Sequence, residues 1–202
     1  MGVLTVVGLG GSMRAGSASR AALEAALTGA ARAGGKIERF DVRELGLPMY
    51  VPDMNPPTEA QTLAKAASKA QAMVWSSPMY HGSVSGSFKN AVDWLQLLSA
   101  HDPPYLTDKV IGLITTAGGS QGLQAVNTME FIVRALRAWA VPLVLPVARA
   151  WEVFDEAGVL RDTALRVQLE GLGAEVVRAA GQMADLGTCD YAEPRAGTRA
   201  GT

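Results

Sequence analysis

An α/β fold is what the sequence predicts: a doubly wound parallel sheet of five strands in the order 2-1-3-4-5, with helices on both faces. Three observations predict it. Short apolar runs alternate with helix-spaced segments from the first residues onward, five such runs occur within one chain of 202 residues, and Gly- and Ser-rich elbows follow three of them. Short strands separated by helices imply parallel pairing through crossovers. A count of five favours this order over a six-stranded dinucleotide-binding sheet.

Residues 3–9 are a continuous apolar run rich in β-branched side chains, and Gly10-Gly11-Ser12 separates them from an Ala/Leu-rich helix over residues 17–33. A second strand is expected over residues 37–42, followed by a Pro-rich loop over 47–57, a helix over 58–69 and a strand over 72–77. The second half reads as a helix over 86–99, a strand over 110–115, a long helix over 122–139, a strand over 142–147 and a last helix over 163–186. Met129, Phe131, Ile132, Leu136 and Trp139 have the spacing of a helix core face and are read as packing. Residues 1–187 thus form one domain, without internal repeat or linker. Residues 188–202, rich in Gly, Thr, Arg and Ala, are expected to be a disordered tail.

Bulk composition narrows the function. The chain is 49% hydrophobic and 18% charged, enough for an ample core, and its 18 basic and 19 acidic residues are interspersed to a net charge of −1. A nucleic-acid partner would call for a clustered basic face, so small-molecule partners are expected instead. The start lacks the basic, apolar and small-residue pattern of a secretory signal, and no apolar run reaches the roughly 18 residues that would span a bilayer. A cytoplasmic protein without a membrane partner is the expectation. The single cysteine, Cys189, can form no internal disulfide and has no CxxC partner, and no metal site is expected.

In the predicted strand order the chain direction switches beside strands one and three. The loops after residues 9, 77 and 115 therefore gather on one edge as candidate binding walls. The first runs Gly10-Gly11-Ser12-Met13-Arg14-Ala15-Gly16-Ser17-Ala18-Ser19-Arg20. Its donors suit a phosphate monoester: the helix start offers dipole and unpaired N–H groups, Ser12, Ser17 and Ser19 offer hydroxyls, and Arg14 offers a guanidinium. Ser12, Arg14, Ser17, Ala18 and Ser19 are the candidate contacts, although an ordinary Ser-capped helix with a solvated arginine is spelled the same way. Two rival phosphate motifs fail on spacing. Met13 stands where GxGxxG needs its third glycine, with Asp41 too distant for the acidic partner, and Ser17-Ala18 replaces the Lys-Ser/Thr of a Walker A loop.

The second loop is the most distinctive. Ser77-Pro78-Met79-Tyr80-His81-Gly82-Ser83-Val84-Ser85-Gly86-Ser87-Phe88-Lys89-Asn90-Ala91-Val92-Asp93-Trp94-Leu95 sets a polar, Gly-rich elbow between an apolar strand and an amphipathic helix. Proline and glycine let backbone amides approach a flat ring while an aromatic and an imidazole stand beside it. This segment resembles the flavin-ring loop of the NAD(P)H-dependent FMN reductases, which are flavodoxin-like flavoproteins. The resemblance runs over about residues 3–186. Gly118-Gly119-Ser120-Gln121, Ala125-Val126-Asn127 and Phe154-Asp155-Glu156-Ala157-Gly158 are similar to the subgroup associated with organoarsenical resistance.

By position, the resemblance implies flavin contacts from Pro78, Met79, Tyr80, His81, Gly82 and Ser83, and from Thr116, Gly118, Gly119 and Gln121 in the third loop. Met79 and His81 depart from the acidic residue and asparagine common in the family. It further implies FMN as cofactor, NADPH or NADH as hydride donor, and a flavin, quinone, azo or similar small molecule as electron acceptor. A homodimer or homotetramer is implied too, with the helix after residue 86 at its interface, Trp94 packing across it, and the loop over 100–106, with His101, walling a shared site. Lys89 and Asp93, spaced i,i+4, read as an exposed ion pair. No protein nucleophile or other catalytic side chain is required, because the cofactor carries the redox chemistry.

Two alternatives come from other classes. An FMN-binding electron carrier would use the same fold with a protein partner, against which the weak net charge argues. Gly118-Gly119-Ser120-Gln121-Gly122 also satisfies GxSxG between a strand and a helix, as in a serine hydrolase, but both histidines, His81 and His101, precede Ser120 where that fold needs one after it.

Overall fold

The computed structural model describes residues 3–155 and 157–185. The expected tail and Cys189 lie outside them. Five parallel strands, β1 (Thr5–Gly10), β2 (Lys36–Asp41), β3 (Ala72–Tyr80), β5 (Val110–Thr116) and β6 (Trp139–Val147), are hydrogen-bonded in the order β2-β1-β3-β5-β6. Counting parallel strands alone, this is 2-1-3-4-5. The two-residue β4 (Ser83–Val84) folds back antiparallel on the end of β3, with Met79 opposite Val84 and Tyr80 opposite Ser83.

Helices cover both faces. Helix α1 (Ala18–Arg32) and helix α7 (Thr163–Asp185) share a core with one face of the sheet, including Val6, Val74, Ile114, Leu27 and Leu172. Helix α3 (Thr58–Lys69), helix α4 (Gly86–Asp93) and helix α5 (Gly122–Ala135) cover the other, around Leu63, Trp75, Phe88, Leu113 and Met129. Central strands buried on both sides explain the uninterrupted apolar runs of β1, β3 and β5. Helices α1 and α7 meet backbone to backbone: a Cβ on Gly173 would stand 1.8 Å from the carbonyl oxygen of Ala26.

Short helices α2 (Val42–Leu45) and α6 (Ala150–Val153) complete the chain. Neither was expected, being too short to carry a periodic signal. Helix α4 gives way to a 3₁₀ turn at Trp94–Leu98 rather than running to residue 99.

The second half corrects the sequence reading at one place. Helix α5 ends at Ala135, since Arg137 takes a left-handed conformation (φ 63°) and the Ala138 amide donates to the carbonyl of Val133. That stop is normally written with glycine, so it was invisible in the sequence. Trp139 consequently opens β6 instead of closing the helix. It and Phe131, both expected to pack inward, are 56% and 69% exposed. Strand β6 extends through Pro142 because it is an edge strand, where a missing N–H costs no ladder bond.

Candidate functional site

The three loops meet at the carboxyl edge of the sheet. Strand pairing sets Gly10 opposite Ser76 and Pro78 opposite Thr116, which aligns all three exits. The Gly11 amide donates to the carbonyl of Ser76 (2.8 Å), and its own carbonyl accepts from the hydroxyls of Ser85 (2.5 Å) and Ser87 (3.1 Å) at the start of α4. No side chain fits at Gly11, because a Cβ there would lie 2.7 Å from Cβ of the fully buried Phe88. The first loop is thus pinned to the second by its backbone.

Within the first loop, Ser17 caps α1, its hydroxyl accepting from the Arg20 amide (3.2 Å) and lying 3.3 Å from the hydroxyl of Ser19. Amides ahead of it in the first turn have no intrahelical acceptor. Ser12 is buried and its hydroxyl accepts from the Arg14 amide (3.2 Å). Ser19 is buried as well, and its carbonyl receives the Ser76 hydroxyl (2.7 Å), so it serves the base of the loop. Ala18 is half-buried beside it.

The two arginines of the loop separate cleanly. Arg20 is spoken for, with Nη1 3.1 Å from Glu44 and 3.6 Å from Asp41. Arg14 is exposed, and among the described residues its guanidinium makes no ion pair or hydrogen bond. An unpaired guanidinium, a capping serine and free first-turn amides make a donor set that fits a phosphate monoester.

The second loop is a tight hairpin. His81 (φ 50°) and Gly82 (φ 81°) both take left-handed conformations, the two-residue turn that matches strand twist. Tyr80 and His81 are held outward at its tip, Met79 and Ser83 are half-buried, and Pro78 is buried at its root. Ser77 secures the base: its hydroxyl donates to the carbonyl of Pro78 and accepts the Ser85 amide, both at 3.0 Å. Gly82 in turn lies against the third segment, since a Cβ there would stand 2.8 Å from Oε1 of Gln124 in α5.

In the third loop Thr116 is buried, while Gly118, Gly119, Ser120 and Gln121 are exposed. A Cβ at Gly119 would meet nothing within 4 Å, so open space faces this loop. Thr115, beneath it, donates to the carbonyl of Gly122 (2.9 Å) and closes the turn into α5. Ser120 makes no hydrogen bond among the described residues, so the GxSxG reading finds no base for its nucleophile.

One interface expectation changes. Trp94 is buried within its own chain, where Nε1 donates to the carbonyl of Pro48 (3.0 Å) and its ring meets Tyr50 edge to face at 5.2 Å. Asn90 stitches the same loop, accepting the Tyr50 amide and donating to Pro48. Trp94 therefore holds the loop over residues 47–57 and packs across no interface. The Lys89–Asp93 pair forms as expected, at 2.5 Å between exposed groups. Among the described residues no cluster of His, Cys, Asp or Glu could hold a metal, and no helix is long and apolar enough to cross a membrane.

Sequence reasoning missed the buried Ser77 and Ser85 and the half-buried Ser87, which pin loops, and the segment after β6. Trp151 of that segment approaches Gly118, where a Cβ would stand 3.4 Å from the indole, and Gly158 abuts Gly16 of the first loop.

Fold, switch point and donor set together define a flavodoxin-like mononucleotide-binding protein. The particular lineage follows from comparison. The family model described as NADPH-dependent FMN reductase matches residues 4–152, and the chain belongs to that family of flavin-dependent oxidoreductases. It is 30% identical over 168 residues to the NADPH-dependent FMN reductase ArsH of Rhizobium meliloti (strain 1021), covering 83% of this chain and 68% of that protein. It is 28% identical over 190 residues to an NAD(P)H:quinone oxidoreductase of Solanum tuberosum, covering 84% of this chain and 89% of the relative. Among solved structures, FerB, a flavoenzyme NAD(P)H:(acceptor) oxidoreductase from Paracoccus denitrificans, superposes with a TM-score of 0.70 at 22% identity, over 90% of this chain and 99% of that one. This last likeness bears on the fold. The resemblance to the organoarsenical-resistance subgroup read from the second half agrees with the ArsH match.

Proposed function

We propose that the chain is an FMN-dependent reductase that takes a hydride from NADPH or NADH and delivers electrons to a small acceptor such as a free flavin, a quinone or an azo compound. One observation carries the reading of the site: Arg14, unpaired among the described residues, stands beside the Ser17 cap in a loop whose backbone is tied to Ser85 and Ser87, just after the Tyr80–Ser83 hairpin. Ser12, Arg14, Ser17, Ala18 and Ser19 would hold the phosphate. Pro78, Met79, Tyr80, His81, Gly82 and Ser83 would line one side of the ring, and Thr116, Gly118, Gly119 and Gln121 another. Bound FMN supplies the hydride-accepting and electron-donating chemistry. The protein's part is to fix the phosphate electrostatically, orient the ring on a rigid hairpin and leave open space at Gly119 for the two small reactants to alternate.

The relatives' names support a nicotinamide donor and a small-molecule acceptor. A cytoplasmic location is part of the same proposal. A homodimer or homotetramer accounts for the exposed Phe131 and Trp139, large apolar groups that a monomer would leave in water.

The test is the visible absorption spectrum of protein reconstituted with FMN, before and after anaerobic NADPH. Bound flavin that bleaches is the expected result. Bound flavin that stays oxidised with both NADPH and NADH would make the chain an electron carrier for a protein partner, and failure to retain FMN would overturn the site itself.

A further inference from the structure

The segment between β6 and α7 reaches back to the first loop across some 140 positions of sequence. Phe154 and Leu160 are buried and pair through an antiparallel bridge, which anchors both ends of a small loop. Asp155 closes it: one carboxylate oxygen accepts the Val159 amide (2.7 Å), and the other accepts Nη2 (3.1 Å) and Nε (3.3 Å) of Arg161. Its amide donates to the Val159 carbonyl (3.0 Å), and its carbonyl accepts the Gly158 amide (2.9 Å).

Gly158, at φ 79°, then lies directly on Gly16, at φ 62°. A Cβ on Gly158 would stand 2.6 Å from the carbonyl oxygen of Gly16, and a Cβ on Gly16 would stand 3.4 Å from that of Ala157. Two residues without side chains meet backbone to backbone, one step before the Ser17 cap of α1. Glycine left to itself is the most mobile residue in a chain, so a ligand that needs Gly16 and Ser17 in fixed places would have to order them. The contact does this in advance.

We propose that Gly158 is a positioning residue for the phosphate group of FMN: the loop that Asp155 closes braces Gly16, so that Ser17 and the first-turn amides of α1 keep their spacing for the phosphate. This rests on the function proposed above. It assigns a part to a segment that the family match, ending at residue 152, leaves out.

The discriminating measurement is the affinity for FMN against riboflavin, which share a ring and differ in the phosphate, by flavin fluorescence quenching on the full chain. Gly158→Ala is compared with Gly34→Ala, a glycine that also has positive φ (94°) but whose Cβ would meet nothing within 4 Å. The backbone strain is thereby matched, and the contact is not. Gly158→Ala is expected to weaken FMN about 10-fold or more and leave riboflavin within about 2-fold, whereas Gly34→Ala leaves both unchanged. Should Gly158→Ala not fold, Asp155→Ala removes the side-chain bonds to Val159 and Arg161 that close the same loop without adding a side chain at Gly158, and a fall of about 3-fold confined to FMN is expected. A Gly158→Ala protein that keeps the wild-type ratio of the two affinities, or that loses both flavins equally, overturns the inference alone. Wild-type protein that binds neither flavin overturns it together with the proposed function.

Discussion

Replacing Gly11 with alanine tests the claim that the first loop is fixed by backbone contact with α4. The added Cβ would stand 2.7 Å from Cβ, 3.1 Å from Cδ2 and 3.2 Å from Cγ of Phe88, where ordinary contact begins at 3.4 Å. Phe88 cannot yield, being fully buried with its ring packed against Trp75 at a centroid distance of 5.7 Å. The loop must move instead, which stretches the 2.8 Å bond from the Gly11 amide to Ser76 and the bonds from Ser85 and Ser87 to the Gly11 carbonyl. Overpacking of this kind costs about 1–3 kcal/mol, and one weakened hydrogen bond adds about 1 kcal/mol. At roughly 2–4 °C per kcal/mol for a chain of this size, the melting temperature should fall by about 5–15 °C. Gly86→Ala is the matched control, since its Cβ would meet nothing within 4 Å and alanine suits a helix start at least as well. Urea unfolding and thermal melts of the two variants side by side give the answer. A Gly11→Ala protein as stable as Gly86→Ala would refute the reasoning.

Two further outcomes follow from the charges of the site. Arg14→Ala should weaken FMN about 10- to 100-fold and leave riboflavin unchanged, while Arg20→Ala, whose partners are Glu44 and Asp41, should leave the ratio of the two affinities intact; equilibrium titration with both flavins checks this. Asp155 titrates below its ordinary value, held there first by the Val159 amide and then by Arg161. A carboxylate so lowered contributes stability above the ordinary carboxylate range that disappears as pH falls through its folded value. Wild type should therefore exceed Asp155→Ala in melting temperature by a constant amount above about pH 5 and by a shrinking amount below about pH 4, and a difference that does not change with pH would exclude that role.

The layout was legible because it is written in periodicity. Continuous apolar runs gave β1, β3 and β5, which are buried on both faces, and the boundaries of α3 at Thr58 and Lys69 coincide with those read from the sequence. Where the reading failed, the decisive contact was either local but unsigned or distant. Arg137 adopts a left-handed turn that any residue can be forced into and only glycine advertises, and with it the helical spacing through Trp139 lost its meaning. Trp94 reads as part of an amphipathic helix and could equally have faced a partner; what it meets is the Pro48 carbonyl and the Tyr50 ring, which no pattern in the sequence could connect to it.

The candidate site divides along the same line. Residues that would meet a ligand announce themselves by type, as Ser12, Arg14 and Ser17 do at a helix start and as Tyr80-His81-Gly82 do at a hairpin tip. Residues that hold those groups in place do not, because their partners are backbone atoms brought in by topology: Ser85 reaches the Gly11 carbonyl, Ser76 that of Ser19, and Gly158 that of Gly16. In each case the first loop is the recipient. A loop of small residues gains little rigidity from itself, and β3, the cap of α4 and the segment after β6 supply it from outside. The donor set is therefore expected to be prepared before a ligand arrives, the condition under which a few hydrogen bonds and one guanidinium suffice for tight binding.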